Sequence, residues 1–521
     1  MKQLRDFSSA SLVMNTAVQR WFEEVGRIGR GRYVRRGGTS YFLWLFGFMV
    51  FTLIAFQIKS TGHFGPLELA AISGGVLLSI ALWVHYSRQH LFDFLDPIHL
   101  VMGILLIGFC GVLILDPSVH LTRFAEPERA LIVSIVATLA FALGYTAFTG
   151  ASNSRIVPGR LSKLGILQRV PRPEAPTLLL GLWLLTFFFR LFYSFGHGYG
   201  GAFSNANSDD ANVANLIESF GKLGAYFIFS ALVIWLARSR RFGRLQIWLA
   251  LACLGLEVWI NIVAGWKYSP VLFVVGLLFV ARARASQGER PGAGTGLVAV
   301  ACLAAFLLVF HALDTLRTRS IQSGFDVRTL AATIGETDVQ SIRQSRERLI
   351  QRVGYGGFLA DVVGVVDSGV LDRQHGATLW PGFLWFIPRS VWPAKPTLSI
   401  GRWYAATVLG WGPGMSEAAV TVPGDLYLNF GIGGVFVGML AYGLVLRQLY
   451  DRFVVNGRTV IGLCLFVPIF MTFALTLERN LSAIVGEAGL LLVALSAVLF
   501  CVTSRPPVGS AGFGRVFRSE Y

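Results

Sequence analysis

Charge is what this 521-residue sequence has least of. Asp, Glu, Lys and Arg together make up 14% of it, where a soluble domain carries about 25%. With 54% hydrophobic residues and a mean hydropathy of +0.60, that scarcity excludes an ordinary soluble enzyme. Cysteine is sparse as well. The five copies, Cys110, Cys253, Cys302, Cys464 and Cys501, fall inside apolar runs with no paired loop spacing and no CxxC. Neither a disulfide framework nor a zinc site is expected from them. A P-loop, HExxH, GxSxG and a DxD at a span end are also missing. Chemistry powered by nucleotide hydrolysis is therefore not expected, and neither a cofactor nor a metal is predicted. Acidic residues are the scarcer sign, 29 against 45 Lys and Arg, for a net charge of +16. No basic face with aromatic platforms lies outside the apolar runs, so a nucleic-acid partner is not expected.

What is present is a series of long apolar runs. A bilayer core about 30 Å thick needs about 20 apolar residues per helical span. Windows of that kind lie near 41–58, 67–86, 98–115, 130–149, 176–195, 219–237, 245–264, 268–281, 295–313, 429–447, 459–477 and 483–503. They are continuously apolar rather than alternating, which selects helices over a β-barrel. The expected fold class is an all-α polytopic membrane protein with about twelve transmembrane helices. The basic stretch ahead of the first span is too polar for a cleavable signal. In it, Val18, Trp21, Phe22 and Val25 recur at helical spacing, which suits either an interfacial helix against anionic lipid or a solvated arm.

Placing both termini in the cytoplasm collects about 27 Lys and Arg there, against about 7 in the short outer connections. The sequence then divides into a cytoplasmic segment 1–40, nine spans in 41–313, an extracytoplasmic loop 314–428, three spans in 429–503 and a cytoplasmic tail 504–521. The implied location is the inner membrane, with membrane lipid as a constant partner.

The loop 314–428 is far longer than two neighbouring spans need, and long loops with structured pieces are usually functional. Arg343, Arg346, Glu347, Arg348 and Arg352 lie opposite an apolar helical stripe, and a second apolar stretch, Phe358 to Val370, is interrupted by Asp361 and Asp367. Trp380, Trp385 and Trp392 then alternate with Pro381, Pro388, Pro393 and Pro396. That composition suits the membrane interface and excludes a plain spanning helix. The segment is expected to fold back on the outer leaflet and cap a cavity. Arg317, Arg319, Arg389, Arg402 and Arg479, with Lys267 and Lys395, populate the same face. Guanidinium forks match phosphate oxygens, so a lipid-linked phosphate or diphosphate is the substrate chemistry to expect. Headgroup contacts and solvated helix faces would use the same residues. Inside the spans, Glu257 and Asn261 share a face that Arg190 could reach, and His311 and Asp314 share another. Such groups are either functional or paired.

One stretch carries a resemblance. Ile387-Pro388-Arg389-Ser-Val-Trp392-Pro393-Ala-Lys395-Pro396 is followed by Pro423-Gly424-Asp425-Leu-Tyr427-Leu-Asn429-Phe430-Gly431-Ile-Gly433-Gly434, with Asp96-Pro97 before the third span. The pattern resembles the Wzy-type O-antigen and exopolysaccharide repeat-unit polymerases. The resemblance is one of layout over most of the chain and of motif over about 50 residues. It implies a GT-C-like membrane glycosyltransferase that needs neither metal nor nucleotide. The substrate would be a polyprenyl-diphosphate-linked oligosaccharide, and a polysaccharide chain-length regulator a potential partner. Asp425 would then serve as general base, with Glu417 and His375 in reserve. Arg389 and Arg402 would stabilise the departing diphosphate, helped by Arg317, Arg319, Lys395, Arg479 and Lys267. Tyr427 and Trp392 would stack on sugars. Asp425 stands where this family often has Glu, and Gly424-Asp425 occupies the stretch where the related O-antigen ligases carry a histidine. Lys267 stands where an arginine is expected. A lipid-linked oligosaccharide transporter is the alternative from another class, although the long loop breaks the matched halves usual in transporters. The glycines at 431, 433 and 434 are expected to admit a close helix–helix approach.

Overall fold

A computed structural model of the chain describes residues 66–89, 95–115, 122–146, 166–167, 169–197, 221–235, 249, 252–257, 259–260, 354–387, 391–392, 395–396, 400–410, 418–455 and 459–504. These are overwhelmingly helical. Helix α1 is Pro66–Gln89. Helix α2 starts as Pro97–Gly103 and continues through the π-helical stretch Ile104–Gly111 into Val112–Leu115. Then come α3 (Pro127–Thr146), α4 (Ala175–His197), α5 (Gly221–Trp235), α6 (Tyr355–Asp367) and the seven-residue α7 (Gly401–Thr407). Last are α8 (Val422–Tyr450), α9 (Val460–Ile469, extended by π-helical Phe470–Ala474) and α10 (Leu481–Cys501).

Five helical stretches are long and apolar enough to cross a membrane: Pro97–Ile114, Pro127–Thr146, Ala175–Phe192, Val422–Val454 and Leu481–Cys501. Three shorter apolar helices accompany them, Ile72–Ser87, Gly221–Trp235 and Val460–Ala474. The chain is an all-α membrane protein. The spans expected near 41–58, 268–281 and 295–313 lie outside the described residues, as do 1–40, 314–353 and the tail after 504. A two-residue antiparallel ladder, β1 (Val170–Pro171) with β2 (Thr503–Ser504), is the one sheet among the described residues.

Local chemistry accounts for where the helices start. The Asp96 side chain accepts from Ile98 N ahead of Pro97, Thr421 accepts from Gly424 N ahead of Pro423, and Thr459 accepts from Gly462 N. Each side-chain oxygen takes up a backbone N–H that the first turn leaves unpaired. Helix α8 begins at Val422, earlier than the expected 429, so Asp425 and Tyr427 are helical rather than part of the loop. The helix is broken at Gly431, with φ 67° and ψ −157°, a conformation open to glycine and strained for residues with a Cβ.

Among the described residues the most extensive helix–helix packing is between α3 and α8. A Cβ on Gly144 would overlap the Leu440 carbonyl, and one on Gly443 would overlap the Phe141 carbonyl. The two backbones therefore meet where each presents a small residue. This departs from the sequence expectation, which gave that task to glycines 431, 433 and 434. Gly433 has nothing near its Cβ direction, and Gly431 and Gly434 serve the break. Helix α6, taken from the supposed loop, is buried along most of its length against α2, α3 and α8. It is part of the bundle and not a lid on it.

Polar groups gather at two ends. Tyr86 OH donates to Asp96 Oδ2 at 2.5 Å, and Tyr145 OH donates to Asp96 Oδ1 at 2.5 Å. Arg447 reaches the Tyr86 hydroxyl and pairs with Asp451 at 2.8 Å. These residues come from four helix ends expected on one side of the membrane, and β1–β2 joins two more such ends. Thr122 with Asp361, Arg129 with Asp367, and Lys222 and Arg479 with Glu487 form contacts at ends expected on the other side. Between helices, Arg190 and Glu257 form a bidentate pair at 2.8 and 2.6 Å, each 1% exposed, and Trp183 Nε1 donates to the same carboxylate at 2.9 Å. This is the partner the sequence suggested for Arg190. Asn261, His311 and Asp314 lie outside the described residues.

Candidate functional site

The second of these ends holds the segment that follows α6. After Asp367 the chain turns through residues 368–379 into a 3-10 turn, Trp380–Leu384. Two backbone amides in this stretch are pinned to the start of α8. Gln374 N donates to Leu428 O at 3.0 Å, and Gly376 N donates to Asn429 Oδ1 at 2.7 Å. His375 sits between these anchors with φ 46° and an exposed side chain. A left-handed φ costs a residue with a Cβ about 1–2 kcal/mol. Strain of this kind persists where surrounding contacts over-determine the backbone, and it clusters at functional sites.

The anchors are held by a buried polar knot. Asn429 Nδ2 donates to Thr378 Oγ1 at 2.5 Å and to Asp425 O at 2.7 Å. Thr378 Oγ1 donates to Asp425 Oδ1 at 2.5 Å, and Leu481 N donates to Asp425 Oδ2 at 2.9 Å. Ser482 Oγ donates to Leu379 O at 2.9 Å. Asp425 thus holds the 375–379 turn and the first turn of α10 together, and it is 0% exposed. With both oxygens occupied and no surface, it is placed to position its neighbours rather than to meet a substrate hydroxyl.

Around the knot stands a cationic lip. Tyr427 OH donates to both Asp367 oxygens at 2.9 Å, and Arg129 Nε meets Asp367 Oδ2 at 3.0 Å. The Arg129 side chain is 60% exposed. The Arg373 guanidinium lies where a side chain on residue 431 would stand, 3.2 Å from that Cβ position. Glycine at 431 thus serves both the φ and the arginine. Nearby, Glu487 binds Lys222 at 2.7 Å and also Arg479. A carboxylate inside an apolar helix needs such partners.

The Trp/Pro segment packs along α10. A Cβ on Gly382 would lie 2.9 Å from Ser482 Cα, and one on Gly489 would meet the Trp385 ring. Lys395 Nζ donates to Trp385 O at 3.2 Å and Ile387 O at 2.9 Å, clasping that turn. The Trp380 and Trp392 rings stand 6.4 Å apart, and Phe383 and Phe386 are exposed.

The residues predicted from sequence are therefore distributed as follows. Asp425, Tyr427 and His375 come together on the knot. Arg479 is on the adjoining turn with Glu487, while Lys395 and Trp392 belong to the clasped segment. Arg402 is exposed on α7. Arg389, Glu417, Arg317, Arg319 and Lys267 lie outside the described residues. Tyr427 is buried with its hydroxyl on Asp367, which leaves no ring face for a sugar. The sequence analysis passed over Thr378, Arg373 and Glu487, and gave Asn429 no role beyond its place in the motif. Glu487 had a signal, as the single charged residue in α10. Arg373 had a weaker one, a polar Asp-Arg-Gln-His-Gly run between two apolar stretches. Among the described residues no group of three or more His, Cys, Asp or Glu side chains is arranged to hold a metal ion.

A family model described as a domain of unknown function, DUF8712, matches residues 376–474. That stretch starts at the amide Asn429 holds and runs through α8 and α9, so it includes Thr378, Asp425 and Asn429. No curated protein and no solved structure matches the chain.

Proposed function

We propose that this chain is a membrane glycosyltransferase that polymerises polyprenyl-diphosphate-linked oligosaccharide repeat units at the outer leaflet of the inner membrane. In this reading the protein has about twelve spans in a GT-C-like arrangement, cytoplasmic termini, and the knot end facing outward. The observation that carries it is His375. An exposed imidazole is fixed in a strained backbone between two anchored amides, beside Arg373 and within a membrane protein's aromatic, proline-rich segment.

The chemistry follows from those groups. A hydroxyl of the acceptor sugar attacks the anomeric carbon of the donor glycan, and the carbon–oxygen bond to the diphosphate breaks. The hydroxyl proton passes to the His375 imidazole, the commonest type of general base. The diphosphate leaves with the bonding electron pair, and Arg373 and Arg129 offset its charge, with Arg402 and Arg389 as further donors. Activation resides in the diphosphate bond, so no nucleotide is needed on that side. Asp425, Asn429 and Thr378 are positioning residues that hold the turn carrying His375.

The test is to supply purified protein in nanodiscs with one pre-made lipid-linked repeat unit. A ladder of products is the expected result. Transfer of single units to a core lipid without a ladder would make it a ligase, and release of unmodified substrate into the opposite leaflet of a vesicle would make it a transporter.

A further inference from the structure

The Trp/Pro segment covers half of a helix face whose other half is open. Ser482, Gly489, Val493 and Phe500 fall on one face of α10, since their spacings are close to whole helical turns. At the knot end this face is occupied, with Gly382 against Ser482 and the Trp385 ring against Gly489. Farther along it is bare, Val493 being 57% and Phe500 55% exposed. On a helix long and apolar enough to cross a membrane, a bare apolar face meets hydrocarbon. Gly489 lies twelve residues before Cys501, where α10 ends, about 18 Å along the axis at 1.5 Å per residue. In a hydrocarbon core about 30 Å thick, the Trp385 ring therefore stands inside the bilayer. The chain also comes back, because the Trp392 ring is 6.4 Å from that of Trp380. Backbone polarity is met as hydrocarbon requires. Prolines at 381, 388, 393 and 396 have no N–H to satisfy. The Lys395 ammonium, in a residue 8% exposed, donates to the carbonyls of Trp385 and Ile387. Non-helical backbone at membrane depth needs internal partners of this kind.

We propose that residues 380–396 form a shallow re-entrant hairpin that enters the membrane beside α10 and presents Phe383, Phe386 and Val391 to the acyl chains of the leaflet on the knot side. These three side chains are 71%, 62% and 75% exposed, and they continue the bare apolar face of α10. The backbone descends less than the Trp385 ring. Three residues of 3-10 turn separate it from Gly382, about 6 Å at 2.0 Å per residue. From that depth an arginine at 389 can carry its guanidinium back to the headgroups. The hairpin leaves the knot at Leu379, whose carbonyl takes the Ser482 hydroxyl, four residues after His375. Its insertion thus sets the height at which the His375 turn stands over the leaflet. The proposal needs only the membrane character of the chain and stands apart from the glycosyltransferase reading.

The experiment places p-benzoylphenylalanine at Phe386 of the full-length protein, in nanodiscs of synthetic phosphatidylcholine, and irradiates it. Mass spectrometry should find an adduct on the acyl chains, in several-fold excess over the same group placed at Asp372, which is exposed at the knot end. Absence of a lipid adduct at Phe386, an adduct to another part of the protein in its place, or equal lipid yields at the two positions would each overturn the proposal. An adduct only to a co-purified polyprenyl lipid would make the ridge a seat for that chain and overturn the assignment to leaflet lipid. A second measurement follows thermal unfolding. Phe386→Asp puts a charge into hydrocarbon and should lower the unfolding temperature by about 3 °C, whereas Val370→Asp, at a half-exposed position after α6, should change it by about 1 °C or less. Equal unfolding temperatures for the two variants would place Phe386 in water, and the hairpin would then lie outside the bilayer.

Discussion

Asp425 Oδ2 accepts the backbone N–H of Leu481 at 2.9 Å, so a carboxylate at the start of α8 caps the start of α10. Its other oxygen takes the Thr378 hydroxyl. Through these two contacts three chain segments far apart in sequence become one rigid corner. The residues that carry the family resemblance, Asp425, Tyr427, Asn429 and Gly431, all have structural partners in this corner.

That arrangement separates two roles for Asp425. In Asp425→Asn the amide N–H faces either the Leu481 N–H, opposing two donors, or the Thr378 hydroxyl, whose own proton then loses its buried acceptor. A loss of about 1–3 kcal/mol is expected, seen as a lower unfolding temperature in nanodiscs along with lower activity. If the variant unfolds like wild type yet does not turn over, Asp425 acts on substrate and the positioning role is wrong.

His375 should show the opposite behaviour. His375→Gly relieves a left-handed φ and should leave stability unchanged or raise it by about 1 kcal/mol. Turnover should fall about 100-fold or more with the loss of the base. Retention of full activity by the glycine variant would remove His375 from the chemistry.

Arg129 and Arg373 form the exposed side of the lip. Replacing Arg373 by Ala is expected to weaken binding of a lipid-linked diphosphate about tenfold, the value of one charge-assisted contact. The unfolding temperature should change little, since the guanidinium is exposed. Equal affinity of the variant and wild type for the polyprenyl diphosphate would place the anion elsewhere.

The Arg190–Glu257 pair offers a test of the bundle itself. Glu257→Gln alone strands a buried guanidinium and should cost about 3–5 kcal/mol. Substituting both, Arg190→Met with Glu257→Leu, should recover much of that loss. A double-mutant cycle on thermal unfolding measures the coupling, and additive single effects would mean that the two charges do not depend on each other.

Glycines 144 and 443 permit the α3–α8 crossing. Gly144→Val should prevent the helices from closing, and the reduced yield of folded protein is read by fluorescence size-exclusion chromatography. A variant that elutes like wild type would show that the crossing can relax.

Much of the fold was legible in the linear pattern. Membrane class and the helices expected at 67–86, 98–115, 130–149, 176–195, 219–237, 459–477 and 483–503 follow from apolar length, a local property. Arg190 with Glu257 was legible because two opposite charges in apolar helices must find each other. Helix α8 starts earlier than the apolar window indicates, because residues 422–430 contain a proline, a glycine, Asp425 and Asn429, yet the helix is capped by Thr421. The crossing glycines were also misjudged. Glycines 431, 433 and 434 look like a packing face, but Gly431 breaks the helix and faces Arg373, and Gly434 meets Phe430 and Leu426 of its own helix.

Composition and hydropathy by themselves determined that this chain is an all-helical membrane protein with a long, polar, aromatic insertion, since water and hydrocarbon sort residues one at a time. Which groups meet was decided only by the tertiary structure. Asp425 is buried with both oxygens bonded, α6 is a bundle helix rather than a lid, and His375 is an exposed side chain on a strained backbone. A hydrogen-bond partner dozens of residues away leaves no periodic trace in a sequence, and burial of a carboxylate depends on everything packed around it.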